Sequence, residues 1–516
     1  MMKKKFLLLA VVMLVVSSCS TKANTLDGYD NSNADKMNTN LFYRNVGQIQ
    51  AADPHVIQYD GKYYLYATNA NENGDCSYLQ VWSSVNLTNW TNEGICYQPR
   101  KNHWCIDGLW APEVIEKNGE FYLYYSGWHL VKQIHETGVA KASSPLGPFV
   151  DFEGYNDNGE YIDASTAPFE FDLDNNGVSD AVIDASPFFD DNGKAYLYFV
   201  QDQHFLPERS ANVSTVYVAE LNDDLVSYKP GSIHKLIAPQ YEWEMETSTS
   251  SLWNEGPYCY KKDGIYYLFF SANYYQHRAY CVGYATSSSP IGPFDKHDEP
   301  LLKTKDYWDY VTGTGHCSIF TSSDHKETFI AYHRHKDTII GGAERKIAFD
   351  RIYLKDGVAH VNGPTLSPQP LPSGSGEYSN IASRSLIKVN GARVSSLSDG
   401  YINAFEDQLE KELNVSTNKA EIVIEFDEEI KAKAIMLYDS SNYDYALRNI
   451  DEIRINGLVA YNSKIASSYL DTEKNLVKIP CSAFIYEFDE ISTKKIEISL
   501  RSNKNIYLNE IMVIGK

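Results

Sequence analysis

Three acidic residues stand out by their neighbours. Asp53 lies in Ala52-Asp53-Pro54-His55, Asp184 in Ile183-Asp184-Ala185-Ser186-Pro187, and Glu255 in Asn254-Glu255-Gly256-Pro257. Two carboxyl groups that meet can hydrolyse a glycosidic bond, one ionised to activate water and one protonated to serve the leaving oxygen. They stand about 6.5–9.5 Å apart when the reaction inverts, and about 5–5.5 Å apart when it retains. A third carboxylate nearby keeps the acid protonated, because one negative charge disfavours a second. Taken singly, each residue is as well explained as a strand-end acid bonding a turn amide. The case for chemistry is that all three hold matched places in a repeat.

The repeat is a strand, a two-residue turn and an aromatic-rich strand. It runs from Ala52 to Tyr66, from Ala111 to Tyr124, from Asp184 to Tyr198 and from Glu255 to Phe269, with a weaker copy from Gly315 to Tyr332. Asp-Gly and Asn-Gly supply the positive backbone angles of a tight hairpin, and the residues that follow suit a pleated, half-buried surface. The turn glycines stand at 61, 119, 193 and 264, intervals of 58, 74 and 71 residues. Strand-rich repeats of this length predict propeller blades. In that arrangement the first strand of each hairpin starts near one axis, and Asp53, Asp184 and Glu255 converge there. The loop Ser143-Ser144-Pro145-Leu146-Gly147-Pro148-Phe149 nearly recurs as Ser288-Ser289-Pro290-Ile291-Gly292-Pro293-Phe294, so the likeness extends to the outer parts of the blades.

The chain has 516 residues, enough for two or three domains, and is 43% hydrophobic and 22% charged, as in an ordinary globular protein. A formal net charge of -22 argues against nucleic acid, whose binding needs Lys and Arg to release counterions. It also argues against anionic membrane surfaces, and suits a neutral partner. Thirty-nine tyrosines and eight tryptophans fit either a β-rich core or platforms for sugar rings.

Lys3-Lys4-Lys5, an apolar run from Phe6 to Val16 and Ser17-Ser18-Cys19 form the three regions of a secretory signal. The run is short for a membrane span. The small residues before Cys19 resemble the lipobox of bacterial lipoproteins, which implies cleavage after residue 18, a lipid on the Cys19 thiol and an exported, membrane-tethered protein. Residues 19–45 are polar and read as a flexible tether. Seven cysteines remain, without zinc-ligand spacing. Cys76–Cys96 and Cys259–Cys281 are candidate pairs, with buried small hydrophobes as the alternative.

Residues 46–365 carry the repeats. Prolines 364, 368, 370 and 372 followed by Ser373-Gly374-Ser375-Gly376 mark a linker over 366–379. Residues 380–516 lack tryptophan, and alternating stretches such as Ala420–Phe426 and Lys495–Leu500 predict a β-sandwich. Ser398-Asp399-Gly400-Tyr401 and the strand at Ile422 resemble the discoidin-like carbohydrate-binding modules. A sandwich that merely buttresses the propeller is the alternative. The expected fold is therefore all-β, a five-bladed propeller followed by a smaller sandwich.

The three acidic phrases, together with Trp110-Ala111-Pro112-Glu113-Val114 in the second repeat, resemble glycoside hydrolase family 43 over residues 46–360. The resemblance implies an inverting glycosidase, most often of α-L-arabinofuranosides or β-xylosides, with a β-galactofuranosidase as an alternative sugar choice. It implies Asp53 as general base, Glu255 as general acid and Asp184 as the residue that orients the acid and tunes its pKa. It also implies an axial role for His316 beside a central calcium or water, and a substrate-binding role for Arg345. Trp110 is expected to line the pocket, with core packing as the alternative, and Glu113 either to contact sugar hydroxyls or to pair within the structure. Asp172-Leu173-Asp174-Asn175-Asn176-Gly177 resembles the start of a calcium loop through Asp172, Asp174 and Asn176, but Ile183 replaces the terminal acid, so an Asx-rich turn is equally compatible. No cofactor is required by this chemistry. A propeller that binds glycans without cleaving them, and a retaining fructan-type enzyme, are the rival readings. The latter typically carries an Asn-Asp-Pro-Asn-Gly phrase that this chain lacks.

Overall fold

The computed structural model describes residues 38–45, 47–70, 74–304, 311–403, 412–442, 445, 452–459, 468–470, 476–478 and 481–516. The expected signal segment with Cys19, and the expected tether up to residue 37, lie outside them.

Five antiparallel sheets, each of four strands in sequence order, form the blades of a propeller. The innermost strands are Ala52–Tyr59, Trp110–Lys117, Val182–Phe189, Asn254–Lys262 and Gly315–Thr321, in blades 1 to 5. The second strands are Lys62–Thr68, Glu120–Trp128, Ala195–Leu206, Ile265–Ala272 and Thr328–His335. In blade 3 a further short strand, Ser251–Leu252, adds parallel to Ala211–Glu220.

The hairpins that join inner to second strands explain the spacing of the repeat. Asp60-Gly61, Asn118-Gly119 and Asp263-Gly264 all have positive φ, between 47° and 82°, as two-residue turns of this hand demand. Blade 3 departs from the expectation, with a connection that runs over Asp190–Lys194. There the Asp190 carboxylate accepts Lys261 Nζ at 2.6 Å and the Tyr266 hydroxyl at 2.9 Å, both from blade 4, and these contacts hold the wider turn.

Apolar side chains of neighbouring blades interlock. Tyr66, Leu79 and Val81 of blade 1 pack with Val114, Leu123 and Tyr125 of blade 2, and blades 3 and 4 meet through Tyr198, Val200, Leu268 and Phe270. Among the described residues the bulkiest fully buried side chains are all tyrosine, eleven in number, so for these the heavy aromatic load is core. Each such ring contributes about 1.5–3 kcal/mol by leaving water. The seven described cysteines are free thiols, six of them buried, and the two candidate pairs do not form.

Each blade is contiguous in sequence, so the ring is sealed by another device. Phe42–Tyr43 pairs with Gln369–Pro370, joining the chain before blade 1 to the chain after blade 5. The Asn45 side chain adds two bonds of 2.9 Å to the Phe349 backbone. Residues 361–372 are buried, so the proline-rich stretch is packed between the two parts of the molecule.

The C-terminal region is a nine-stranded sheet dominated by two long strands, Lys419–Asp439 and Phe484–Arg501. It encloses one core built from the alternating apolar residues, among them Ile422, Ile424, Ile496 and Ile498. A second core on its other side takes in Leu41 and Phe42. Tyr401 packs on Tyr353 and His360 of blade 5, ring centroids 4.5 and 5.4 Å away, and Asn362 Nδ2 donates to Gly400 O at 2.8 Å. The stretch that resembled a carbohydrate-binding module thus docks this region on the propeller.

Candidate active site

Every inner strand carries a β-bulge at the same place, and the residue in it takes positive φ: Asp53 at 51°, Ala111 at 46°, Asp184 at 58°, Gly256 at 55° and His316 at 47°. Such a bulge bends the strand and re-aims a side chain. Asp, His and Gly tolerate this left-handed conformation better than branched residues. Three of the five bulges therefore present Asp53, Asp184 and His316 toward the axis. Glu255 stands one residue before the fourth.

Asp53 is surrounded by nitrogen. Arg345 Nη1 donates to its Oδ1 at 3.1 Å, and Nδ1 of His316 and of His333 stand 3.4 and 3.3 Å from the same oxygen. Arg345 is fixed over the Tyr275 ring, 4.8 Å from its centroid. Burial alone would raise the Asp53 pKa, but the Arg345 charge, then His316, outweigh it and hold the carboxyl well below its usual range. Asp53 is ionised. Burial, helped by the Arg345 charge, pushes His333 down to about 3, so its imidazole is neutral.

Glu255 has the opposite environment. Burial, then the negative charge of Asp184, raise it well above the carboxylate range, against the bond that the Tyr280 hydroxyl donates to its Oε1 at 2.7 Å. Asp184 is itself pushed up to about 6, first by burial, with His316 opposing. Its Oδ2 accepts the Gly256 amide at 2.9 Å, which places its charge beside the residue that follows Glu255. The Tyr280 ring lies against His333, which faces Asp53, so the two outer acids border one space. An ionised base and a protonated acid, poised apart by their surroundings, are the pair that inverting hydrolysis needs.

The other expected residues divide. Arg345 and His316 enter the site. His316 turns its Nδ1 to Asp53, and the described residues give it no group of metal-ligating partners. Trp110 is 36% exposed and packs on His135, with centroids 3.9 Å apart. Trp253, just before the inner strand of blade 4, meets Tyr274 at 5.4 Å. Glu113 is buried and pairs within the structure, where Ser186 Oγ donates to it at 2.8 Å and His55 Nδ1 lies 3.4 Å away.

In the loop before blade 3, Asp172, Asp174 and Asp180 bring oxygens within 4.8 Å of one another. Asp180 joins the two expected aspartates, while Asn176 donates to Asp174 Oδ2 at 2.9 Å and its Oδ1 accepts the Val178 amide at 2.7 Å. Oxygen donors of this kind fit calcium. In the described structure they already bind amides, as Asp172 does with Asn176 and Gly177, so the Asx-turn reading is also satisfied.

Three residues of the site escaped the sequence reading. His333 lies on the second strand of blade 5 and Tyr280 just before the third strand of blade 4, outside the repeated phrase. The signal for Tyr280 was Gly315, where a Cβ would come within 2.0 Å of the Tyr280 ring. Asp202 lies within the second strand of blade 3, accepts Ser214 Oγ at 3.0 Å, and adds its charge to those raising Asp184 and Glu255.

Comparison with known proteins places this geometry. The description of the glycosyl hydrolases family 43 matches residues 43–359. A β-D-galactofuranosidase from Aspergillus niger is 28% identical over 318 residues, 59% of this chain and 80% of that one. An arabinoxylan arabinofuranohydrolase from Paenibacillus polymyxa is 27% identical over 55% of this chain, which spans 44% of that protein. A β-xylosidase from Xylanibacter ruminicola is 24% identical, over 47% of this chain and 77% of that one. The crystal structure of a thermostable family-43 glycoside hydrolase is 35% identical, covers 64% of this chain and 99% of its own, and superposes with a TM-score of 0.56. The chain belongs to family 43 of the glycosyl hydrolases, a family of inverting glycosidases built on a five-bladed propeller.

Proposed function

We propose that this glycosidase releases α-L-arabinofuranosyl or β-D-xylosyl units from neutral plant-type oligo- or polysaccharides. Asp53 takes a proton from water as that water attacks the anomeric carbon. Glu255 gives its proton to the glycosidic oxygen as the bond to the anomeric carbon breaks. Asp184 keeps Glu255 protonated until then, and solvent exchange restores both groups. The observation that carries the reading is the opposed ionisation of Asp53 and Glu255 around one buried space. No step needs a cofactor, and calcium at the Asp172 loop would be structural.

The named activities of the arabinoxylan and xyloside relatives support the pentose choice. A second reading, a β-D-galactofuranosidase, is favoured by the Aspergillus niger relative, most of whose length is matched. A merely glycan-binding propeller is disfavoured by the three acids in their poised states.

Aryl glycosides of arabinofuranose, xylose and galactofuranose separate these readings, and NMR of the first-formed anomer reads the stereochemistry. Glu255→Gln is expected to lower kcat about 10²–10⁴-fold on oligosaccharides but to spare a glycosyl fluoride, whose leaving group needs no proton. Asp53→Asn should lose both. Full activity in either variant overturns the assignment.

Export and lipid anchorage through Cys19 belong to the same proposal, supported by the charged, apolar and small-residue order of residues 3–19. Cys19→Ser should move the protein from the membrane fraction to the soluble one, and an unchanged distribution would exclude the anchor.

A further inference from the structure

The five bulges share a second feature. In each, the residue before the bulge pairs with one residue of the second strand: Ala52 with Thr68, Trp110 with Ser126, Ile183 with Val200, Glu255 with Ser271 and Gly315 with His333. Four of these second-strand residues reach forward to the next blade and accept the amide of its bulge. Thr68 Oγ1 accepts Ala111 N at 2.7 Å, Ser126 Oγ accepts Asp184 N at 2.9 Å, Ser271 Oγ accepts His316 N at 2.7 Å, and His333 Nδ1 accepts Asp53 N at 3.2 Å. A buried amide must find such a partner.

Blade 3 breaks the pattern. Its residue is Val200, fully buried, which offers no acceptor. The amide it would have served is that of Gly256, and that amide is the one taken by Asp184 Oδ2. We propose that Val200 is a positioning residue for catalysis: by leaving the Gly256 amide unserved, it assigns Asp184 to that amide and so fixes the carboxylate beside Glu255. This inference rests on the reading of Glu255 as general acid and Asp184 as its partner.

The contact does two things. It holds Asp184 in one orientation, and, being a bond to the ionised form, it keeps Asp184 charged. Both sustain the proton on Glu255. The other groups facing this pair are Asp53, Asp202, His316 and Glu113 around Asp184, and Tyr280, Tyr274, Asp202 and Asp53 around Glu255. None of these changes when residue 200 changes.

Threonine has nearly the shape of valine, with a hydroxyl for one methyl. In Val200→Thr the Gly256 amide gains a neutral acceptor like those of the other blades. Asp184 then loses its bond, protonates more readily and is free to turn away, so Glu255 releases its proton at lower pH. The alkaline limb of kcat/KM is expected to move down by about one pH unit, with kcat at neutral pH reduced about tenfold. Val200→Ala empties the same position without a hydroxyl and should leave the limb in place. Val200→Ser, matching Ser126 and Ser271, serves if the threonine variant does not fold.

A hydroxyl variant that folds and keeps the wild-type limb overturns the proposal. So does an equal shift in Val200→Ala, which would make the effect one of packing. Asp184→Asn is the separate control. If its limb also stays in place, the reading of Asp184 and Glu255 fails, and the proposal with it.

Discussion

The phenol ring of Tyr280 lies on the imidazole of His333, with centroids 5.5 Å apart and planes 6° from parallel. Tyr280 bonds Glu255, and His333 faces Asp53, so this stack ties the proposed acid to the proposed base. The Tyr280 hydroxyl favours ionised Glu255. Tyr280→Phe should therefore raise the Glu255 pKa and carry the alkaline limb of kcat/KM to higher pH. A pH–rate profile on an aryl glycoside checks the direction, and a downward shift would contradict it.

Gly315 makes room for that stack. A Cβ there would stand 2.0 Å from a Tyr280 ring carbon, closer than any real contact. Gly315→Ala should displace the phenol from both partners and reduce kcat/KM about 10²-fold or more, since small misplacements at a reacting centre are costly. Steady-state kinetics alongside a melting curve separates this loss from unfolding.

The acid limb reports on a different pair. Asp53 is held low chiefly by Arg345, so the wild type should keep activity below about pH 4, where a free aspartate begins to protonate. Removing the guanidinium in Arg345→Gln lets burial dominate, and the Asp53 pKa rises. Its acid limb should move to higher pH while the alkaline limb, set by Glu255, stays. Movement of both limbs together would show that Arg345 does not act through Asp53.

Phe42 is 1% exposed and belongs to the core of the C-terminal sheet, although it precedes blade 1. Phe42→Ala should cost about 3–5 kcal/mol through the cavity left behind. Denaturant unfolding measures it. Activity at 25 °C should be unaffected, because Phe42 lies in the C-terminal core and not among the residues of the site.

The sequence was most informative where local rules apply. Turn dipeptides and aromatic alternation disclosed the blades, and their register singled out Asp53, Asp184 and Glu255. The side chains that set the states of those acids were harder to see. Tyr280, His333 and Asp202 come from other strands and reach the axis only after the ring closes. Val200 could not be noticed at all, since an apolar residue on a buried strand becomes unusual only beside the polar residues that fill its place in the other blades. Glu113 resembled a site residue because it follows Trp110-Ala111-Pro112. Two residues past the bulge, the same strand buries its carboxyl against Ser186 and His55. Asn176 and Asp180 differ by which backbone amides they satisfy, a matter of loop conformation that spacing does not encode.

The pairing of Phe42 with Pro370 joins residues 328 positions apart. At ordinary rates of synthesis, about 5–20 residues per second, the second partner emerges on the order of tens of seconds after the first. Until then the growing disc is open between its first and last blades, and the apolar partners of Leu41 and Phe42, from Tyr378 to Ile514, emerge later still. The nascent protein is thus exposed to proteases and aggregation at one defined seam, and a helper that shields those two residues would protect it through most of its birth.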